Sequence, residues 1–227
     1  MKKKVLLIAF AALALTACSS KKATTDSESD KKAASSISSS NVVKQTSNKI
    51  NLTNYKKIKV VEKTGSTPSQ VTDLLGREAD AKSKAKTSKL KATIYTWEGV
   101  QNGSAGANLA VEFANGVAIA KQISGLVVNR SKQITPKDYK SLKKGMTQEE
   151  VEAIVGKPNG YSESDYSNSE VVLWLYTSGL KSDDQANFYV TFQKNKLVAK
   201  KAQNFNGSII FLTDGCQVIH PSVRFFA

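Results

Sequence analysis

Thr147-Gln148-Glu149-Glu150-Val151-Glu152-Ala153-Ile154-Val155-Gly156 decides the fold, because the chain writes the pattern twice. Its counterpart is Thr67-Pro68-Ser69-Gln70-Val71-Thr72-Asp73-Leu74-Leu75-Gly76. Each copy begins on a Thr whose hydroxyl can cap a helix. Gln70 or Glu150, three residues on, completes a capping box. Pro68 falls at the first helical position, where its missing N–H costs nothing. Val71, Leu74 and Leu75 form one apolar stripe at i, i+3, i+4, and Val151, Ile154 and Val155 form the other. Gly76 and Gly156 are expected to end the helices as left-handed caps, with Pro158 blocking continuation.

Working outward, Gly65 and Gly145 precede the two segments at the same offset. Trp97 matches Trp174, and Val111-Glu112-Phe113 matches Val190-Thr191-Phe192. Tyr55 and Ile58 match Tyr139 and Leu142 if the first copy carries a four-residue insertion near residues 60–63. Self-similarity at this length means a duplicated domain. A shorter helix precedes each capped one, and Thr135-Pro136 starts the second of these. Alternating segments follow at about 92–98, 107–114 and 117–123, and at about 170–177, 186–193 and 196–203. Weaker strands are expected near 79–84 and 160–166, and hairpin turns at Asn115-Gly116 and Asn195-Lys196. The expectation is an α+β protein of two tandem units, 51–128 and 129–207. Each unit is a helix-loop-helix packed on a four-stranded antiparallel sheet. A C-terminal extension occupies 208–227.

The N-terminus carries an address. Lys2-Lys3-Lys4 precedes an apolar run from Val5 to Leu15, too short to span a bilayer stably. It ends in Leu15-Thr16-Ala17-Cys18, which resembles the lipobox of bacterial lipoproteins. The resemblance implies a signal peptide over 1–17, diacylglycerol on the Cys18 thiol and an extracytoplasmic, lipid-anchored protein. The alternative is a plain signal peptide followed by an incidental Cys. Nine of residues 19–40 are Ser, so 18–50 is expected to be a tether that cannot offset its ordering entropy. Such a tether reaches roughly 30 Å.

Composition narrows the chemistry. One His and two Cys exclude a zinc site of Cys and His and a disulfide scaffold. With Cys18 acylated, Cys216 has no disulfide partner. A nucleophilic triad would have to use His220. Glu149, Glu150 and Glu152 form an acidic helix start that capping and the helix dipole explain. No acid/base or nucleophile set converges, so no catalytic residue, metal or cofactor is assigned and the protein is not an enzyme. Lys+Arg number 33 against 19 Asp+Glu, a net charge of +14. For an exported protein that excess points to a membrane surface or an anionic wall polymer, not to nucleic acid. The lysines at 82, 84, 86, 89 and 91, and at 194, 196, 200 and 201, are read as solvated faces.

The run Tyr139-x-x-Leu142-x-x-Gly145-Met146-Thr147-x-x-x-Val151-x-x-Ile154-x-Gly156-x-Pro158 resembles the opening of the SmpA/OmlA-type lipoprotein domain. Duplication behind a lipobox resembles, more specifically, the Gram-positive lipoproteins described as beta-lactamase-inhibitory-protein-like. The resemblance covers about 51–205. It departs in the first copy, which has Ser66 in place of Met and carries the insertion. It implies the helix-loop-helix on a sheet, and protein binding on the free, concave face. It does not carry over beta-lactamase inhibition. The inhibitors hold disulfides this chain cannot make, and no inhibitory loop matches.

Strand alternation then separates the two faces. Tyr95, Trp97, Leu109, Val111 and Phe113 are expected under the helices of the first unit. Val172, Trp174, Tyr176, Phe188, Val190 and Phe192 take that role in the second. The opposite face carries Leu173, Leu175, Tyr189 and Thr191, with Glu98 and Glu112 expected in water on the first unit. An apolar face of this kind needs a reason. It is either a site for an envelope protein partner or a surface buried against the first unit or the C-terminal tail.

Overall fold

The capped segments are helical, and their ends follow the caps. The computed structural model describes residues 48–86, 90–167, 169–182 and 185–205. The signal peptide, Cys18, nearly all of the tether, and Cys216 and His220 in the C-terminal extension lie outside the described residues. Helix α1 is Leu52–Lys57 and α2 is Pro68–Leu75, followed by strands β1 Ala81–Lys86, β2 Lys91–Glu98, β3 Gly103–Ala114 and β4 Val117–Leu126. The order then recurs as α3 Pro136–Ser141, α4 Gln148–Val155, β5 Gly160–Tyr166, β6 Ser169–Tyr176, β7 Asn187–Gln193 and β8 Lys196–Gln203. Both sides of the capping box are made at Thr67 with Gln70, at Thr147 with Glu150 and at Thr135 with Asp138. Gly76 is left-handed at φ 75°, ψ 8°. Gly156 departs from the expectation: at φ 72°, ψ −172° it leaves the helix extended, feeding the chain directly toward β5. The turn before β8 also sits one residue early, with Lys194 and Asn195 both at positive φ.

The expected pair of four-stranded sheets is instead one antiparallel sheet of eight strands in the order β1 to β8. β4 and β5 join the two halves through the pairs Ala120 with Ser164, Lys121 with Glu163, Gln122 with Ser162 and Ile123 with Tyr161. The reason is the unpaired backbone that each four-stranded meander would leave at its edge. Asn159 locks this junction. Its side-chain amide donates to Leu126 O at 2.9 Å and Ser178 Oγ at 2.8 Å, and its side-chain oxygen accepts from Thr177 N at 3.0 Å.

All four helices of the described residues lie on one face. A row of directly opposed residues crosses the sheet on that side: Trp97, Leu109, Ile123, Tyr161, Trp174, Val190 and Lys200. Over its first half sit Tyr55, Val71 and Leu75, and over its second half Tyr139, Leu142, Val151 and Val155. Tyr161 packs against both clusters and makes them continuous.

Two lysines tie the short helices down. Lys121 Nζ donates to Tyr55 O at 3.1 Å and Ile58 O at 2.9 Å, sits 4.5 Å over the Tyr55 ring, and pairs with Glu163 at 3.0 Å. Lys200 Nζ donates to Tyr139 O at 2.6 Å and Leu142 O at 2.9 Å, and lies 4.5 Å over the Tyr139 ring. Each adds a donor at a helix C-terminus, where Ile58 O and Leu142 O would otherwise lack one and Tyr55 O and Tyr139 O accept from the cap N–H. Lys200 is therefore not part of a solvated face. The insertion in the first copy is absorbed where the loop before the capped helix meets the last strand of the unit. Leu197 donates to Met146 O and accepts from Gly145 N, whereas Ala118 donates to Ser66 O and accepts from Val61 N. Gly65 lies so close to Ala118 O that any Cβ would collide with it.

Lys121→Met is expected to cost about 2–3 kcal/mol, because the Ile58 carbonyl loses its donor and Glu163 its ion-pair partner, while Tyr55 O keeps only Ile58 N. Lys200→Met should cost less, since Lys200 is only part-buried. Urea denaturation of the two variants measures the difference.

Candidate functional site

The helix-free face is mapped by the alternate residues of the same strands. One row runs Thr96, Ala110, Gln122, Ser162, Leu173, Thr191 and Ala199. Its centre, around the β4–β5 junction, is made of small and polar side chains. Leu173 opposes Thr191 and Leu175 opposes Tyr189, so these four form one patch on β6 and β7. Leu173, Tyr189 and Thr191 are part-exposed, and Leu175 is buried at 6% exposure. This half of the face therefore presents an apolar patch with a hydroxyl at its edge.

Glu98 and Glu112 are not brought into that patch. They sit on β2 and β3, with β4 and β5 between. Glu98 is exposed at the end of β2, opposite Asn108. Glu112 contradicts the expectation of a water-facing carboxylate, since it is 1% exposed. It stands between Ile94 on β2 and Ala120 on β4. Two residues along the same strands, Ala92 and Ala114 pack with Leu90 and Ile119 into a small apolar cluster, with Tyr166 against it. Glu112 Oε2 has no hydrogen-bond partner. Burial pushes its carboxyl up to about 7. The sequence parity placed Glu112 on the correct face but not its depth. Depth here comes from the apolar cluster and from the extra residue of β4 between Glu112 and Phe113.

Lys121 went unmarked in the sequence, although two signals pointed to it. It shares the strand parity of Ile123, and it aligns with Lys200 when Ala118 is set against Leu197. Among the described residues no three metal-ligating side chains converge, and no helix is long and apolar enough to cross a membrane.

Comparison with known proteins agrees with this architecture. A family model described as beta-lactamase inhibitor (BLIP) matches residues 51–178, from α1 to just past β6. The solved structure of a candidate beta-lactamase inhibitor protein from Streptococcus mutans is similar at a TM-score of 0.53 and 22% identity. The match covers 67% of this chain and 94% of that one. At that identity the likeness speaks for the fold. No curated protein matches the chain.

Proposed function

The chain belongs to the beta-lactamase inhibitor (BLIP) family, and from that premise we propose that it is a cell-envelope recognition protein that grips a partner protein on the helix-free face of its sheet. The family is one of binding proteins, not enzymes. The observation that carries the reading is the part-exposed patch of Leu173, Tyr189 and Thr191, which no helix among the described residues covers; Leu175, expected in it, is buried and serves as its support. Aromatic and aliphatic side chains on a rigid sheet lose little entropy on docking and supply most of an interface's energy. In this reading Cys18 carries a diacylglycerol, and the Ser-rich tether holds the sheet off the membrane. The matched positions of Lys121 with Lys200 and of Ala118 with Leu197 support an origin by duplication. The partner is assigned by chemistry, as a protein with an apolar projection. The family's name alone speaks for a beta-lactamase.

A second reading is an accessory factor that binds anionic wall polymer, and the exposed Lys82 and Lys84 along the outer strand β1 favour it. Leu173→Ser with Tyr189→Ser separates the two. Both side chains are part-exposed, so the pair should cost only about 1–2 kcal/mol in stability. Crosslinking in the native envelope should lose its protein product. An unchanged crosslink pattern in the variant would refute the assignment. Loss of the wild-type product at about 1 M salt would favour the polymer, because charge contacts are screened there and apolar ones are not.

A further inference from the structure

The helix-free patch stands beside the point where the chain leaves the sheet. Lys201 of β8 opposes Tyr189, which in turn opposes Leu175. β8 ends two residues later, at Gln203. By strand spacings, Tyr189 lies about 8 Å from that end and Leu173 roughly 16 Å. Asn204, at φ 51°, bends the chain out of the line of β8. Phe205 then packs on the helix-bearing side, its ring 5.8 Å from Tyr139 and 5.6 Å from Phe188. It is 3% exposed and completes the helix-side core at this end.

Residues 206–227 follow, outside the described residues. They begin Asn206-Gly207-Ser208, a composition suited to a turn, and continue Ile209-Ile210-Phe211-Leu212. Four large apolar side chains in a row favour cover over water. Phe211, six residues on from Phe205, reaches about 20 Å when extended, enough to round the edge of β8 and lie over Tyr189. The patch offers matching chemistry. Leu173, Tyr189 and Thr191 are part-exposed over the buried Leu175, and none of them is charged. No charged residue occurs from Asn206 to Thr213 either. In a chain of net charge +14, an uncharged segment within reach of an uncharged patch is a match of chemistry as well as of position.

We propose that residues 209–212 dock on the helix-free patch as an internal stopper, which a partner protein must displace. The docking stands on the geometry above, and the competition rests on the reading of the patch as a partner site. Attachment makes the stopper effective. A short connection holds the segment at an effective concentration in the millimolar range, so weak docking suffices to keep the patch covered. A partner protein engages a larger surface than four residues offer and wins the exchange.

Dye binding by the full chain tests the docking without any partner. Ile210→Ser with Phe211→Ser alters both sides of an extended segment. It should uncover the patch and raise the fluorescence of anilinonaphthalene sulfonate, which binds exposed apolar surface, several-fold at an unchanged melting temperature. Adding Leu173→Ser with Tyr189→Ser should return the signal to the wild-type level. Fluorescence that falls or stays level in the tail variant, or a rise that persists in the fourfold variant, would overturn the docking. Sedimentation that finds a dimer dissociated by Leu173→Ser with Tyr189→Ser would assign the patch to a second copy and overturn it too. Crosslinking in the native envelope tests the competition: the tail variant should give several-fold more protein product than the wild type, and an equal yield would refute it. The expected dye response with no protein crosslink in any variant would support the docking and sink the partner reading alone.

Discussion

Trp97→Ala is expected to lower the unfolding free energy by about 3–5 kcal/mol, the range for truncating a fully buried large aromatic. Trp97 is 0% exposed beneath α1 and α2. Its indole N–H donates to Arg77 O at 3.0 Å, so truncation also strips a carbonyl of its donor just past the α2 cap. The lost ring opens a cavity between β2 and the helices, and that close-packed site cannot collapse without moving Tyr95, whose ring lies 6.1 Å away. Leu173→Ser on the helix-free face provides the comparison. It should cost under about 1 kcal/mol, because that side chain is part-exposed. Thermal or urea melts of the two variants report directly which face of the sheet is core. A larger loss from Leu173→Ser would show that the faces are reversed.

The second large effect is a pH dependence owed to Glu112. Its carboxyl is raised by burial from the ordinary 4.5 to about 7. The folded state therefore binds a proton that the unfolded state has released between those two values. The stability that Glu112 contributes is full below about 4.5, is lost as pH rises toward about 7, and is absent above it. The shift corresponds to about 3 kcal/mol over that window. Glu112→Gln should flatten this part of the profile and raise stability at pH 8, since a neutral amide need not be ionised in an apolar site. Urea melts at intervals from pH 4 to 8 measure the slope in both proteins. An unchanged slope in the variant would mean that other carboxyl groups set it.

Local grammar was the most legible part of this chain. Thr67, Thr135 and Thr147 cap as their side chains allow, because a capping box is decided within four residues. Strand parity also sorted Trp97 from Thr96 and Trp174 from Leu173, since a pleat repeats every two residues. The β4–β5 pairing could not be read this way. It depends on two edges separated by a long connection, and no residue in either strand announces its partner. The burial of Glu112 was hidden for the same reason: Ala120 and the cluster with Ile119 reach it only after the strands are in register. In the candidate site, Leu173, Leu175, Tyr189 and Thr191 were found because they alternate with core residues.

The neighbour-to-neighbour order of the sheet has a kinetic consequence. Six of its seven pairings join strands linked by short connections: β1 with β2, β2 with β3, β3 with β4, β5 with β6, β6 with β7 and β7 with β8. Hairpins of this kind close small loops and zip in microseconds. The exception is β4 with β5, which must close the segment from Val127 to Asn159, with α3 and α4 inside it. That one closure carries the largest entropic cost of the seven and is expected to limit the folding rate. Until it is made, each half displays an open strand edge. The two unpaired edges, of β4 and β5, are templates for pairing with other chains. Asn159, which bonds to Leu126 across the junction, is therefore expected to protect those edges by holding the closure once it is made.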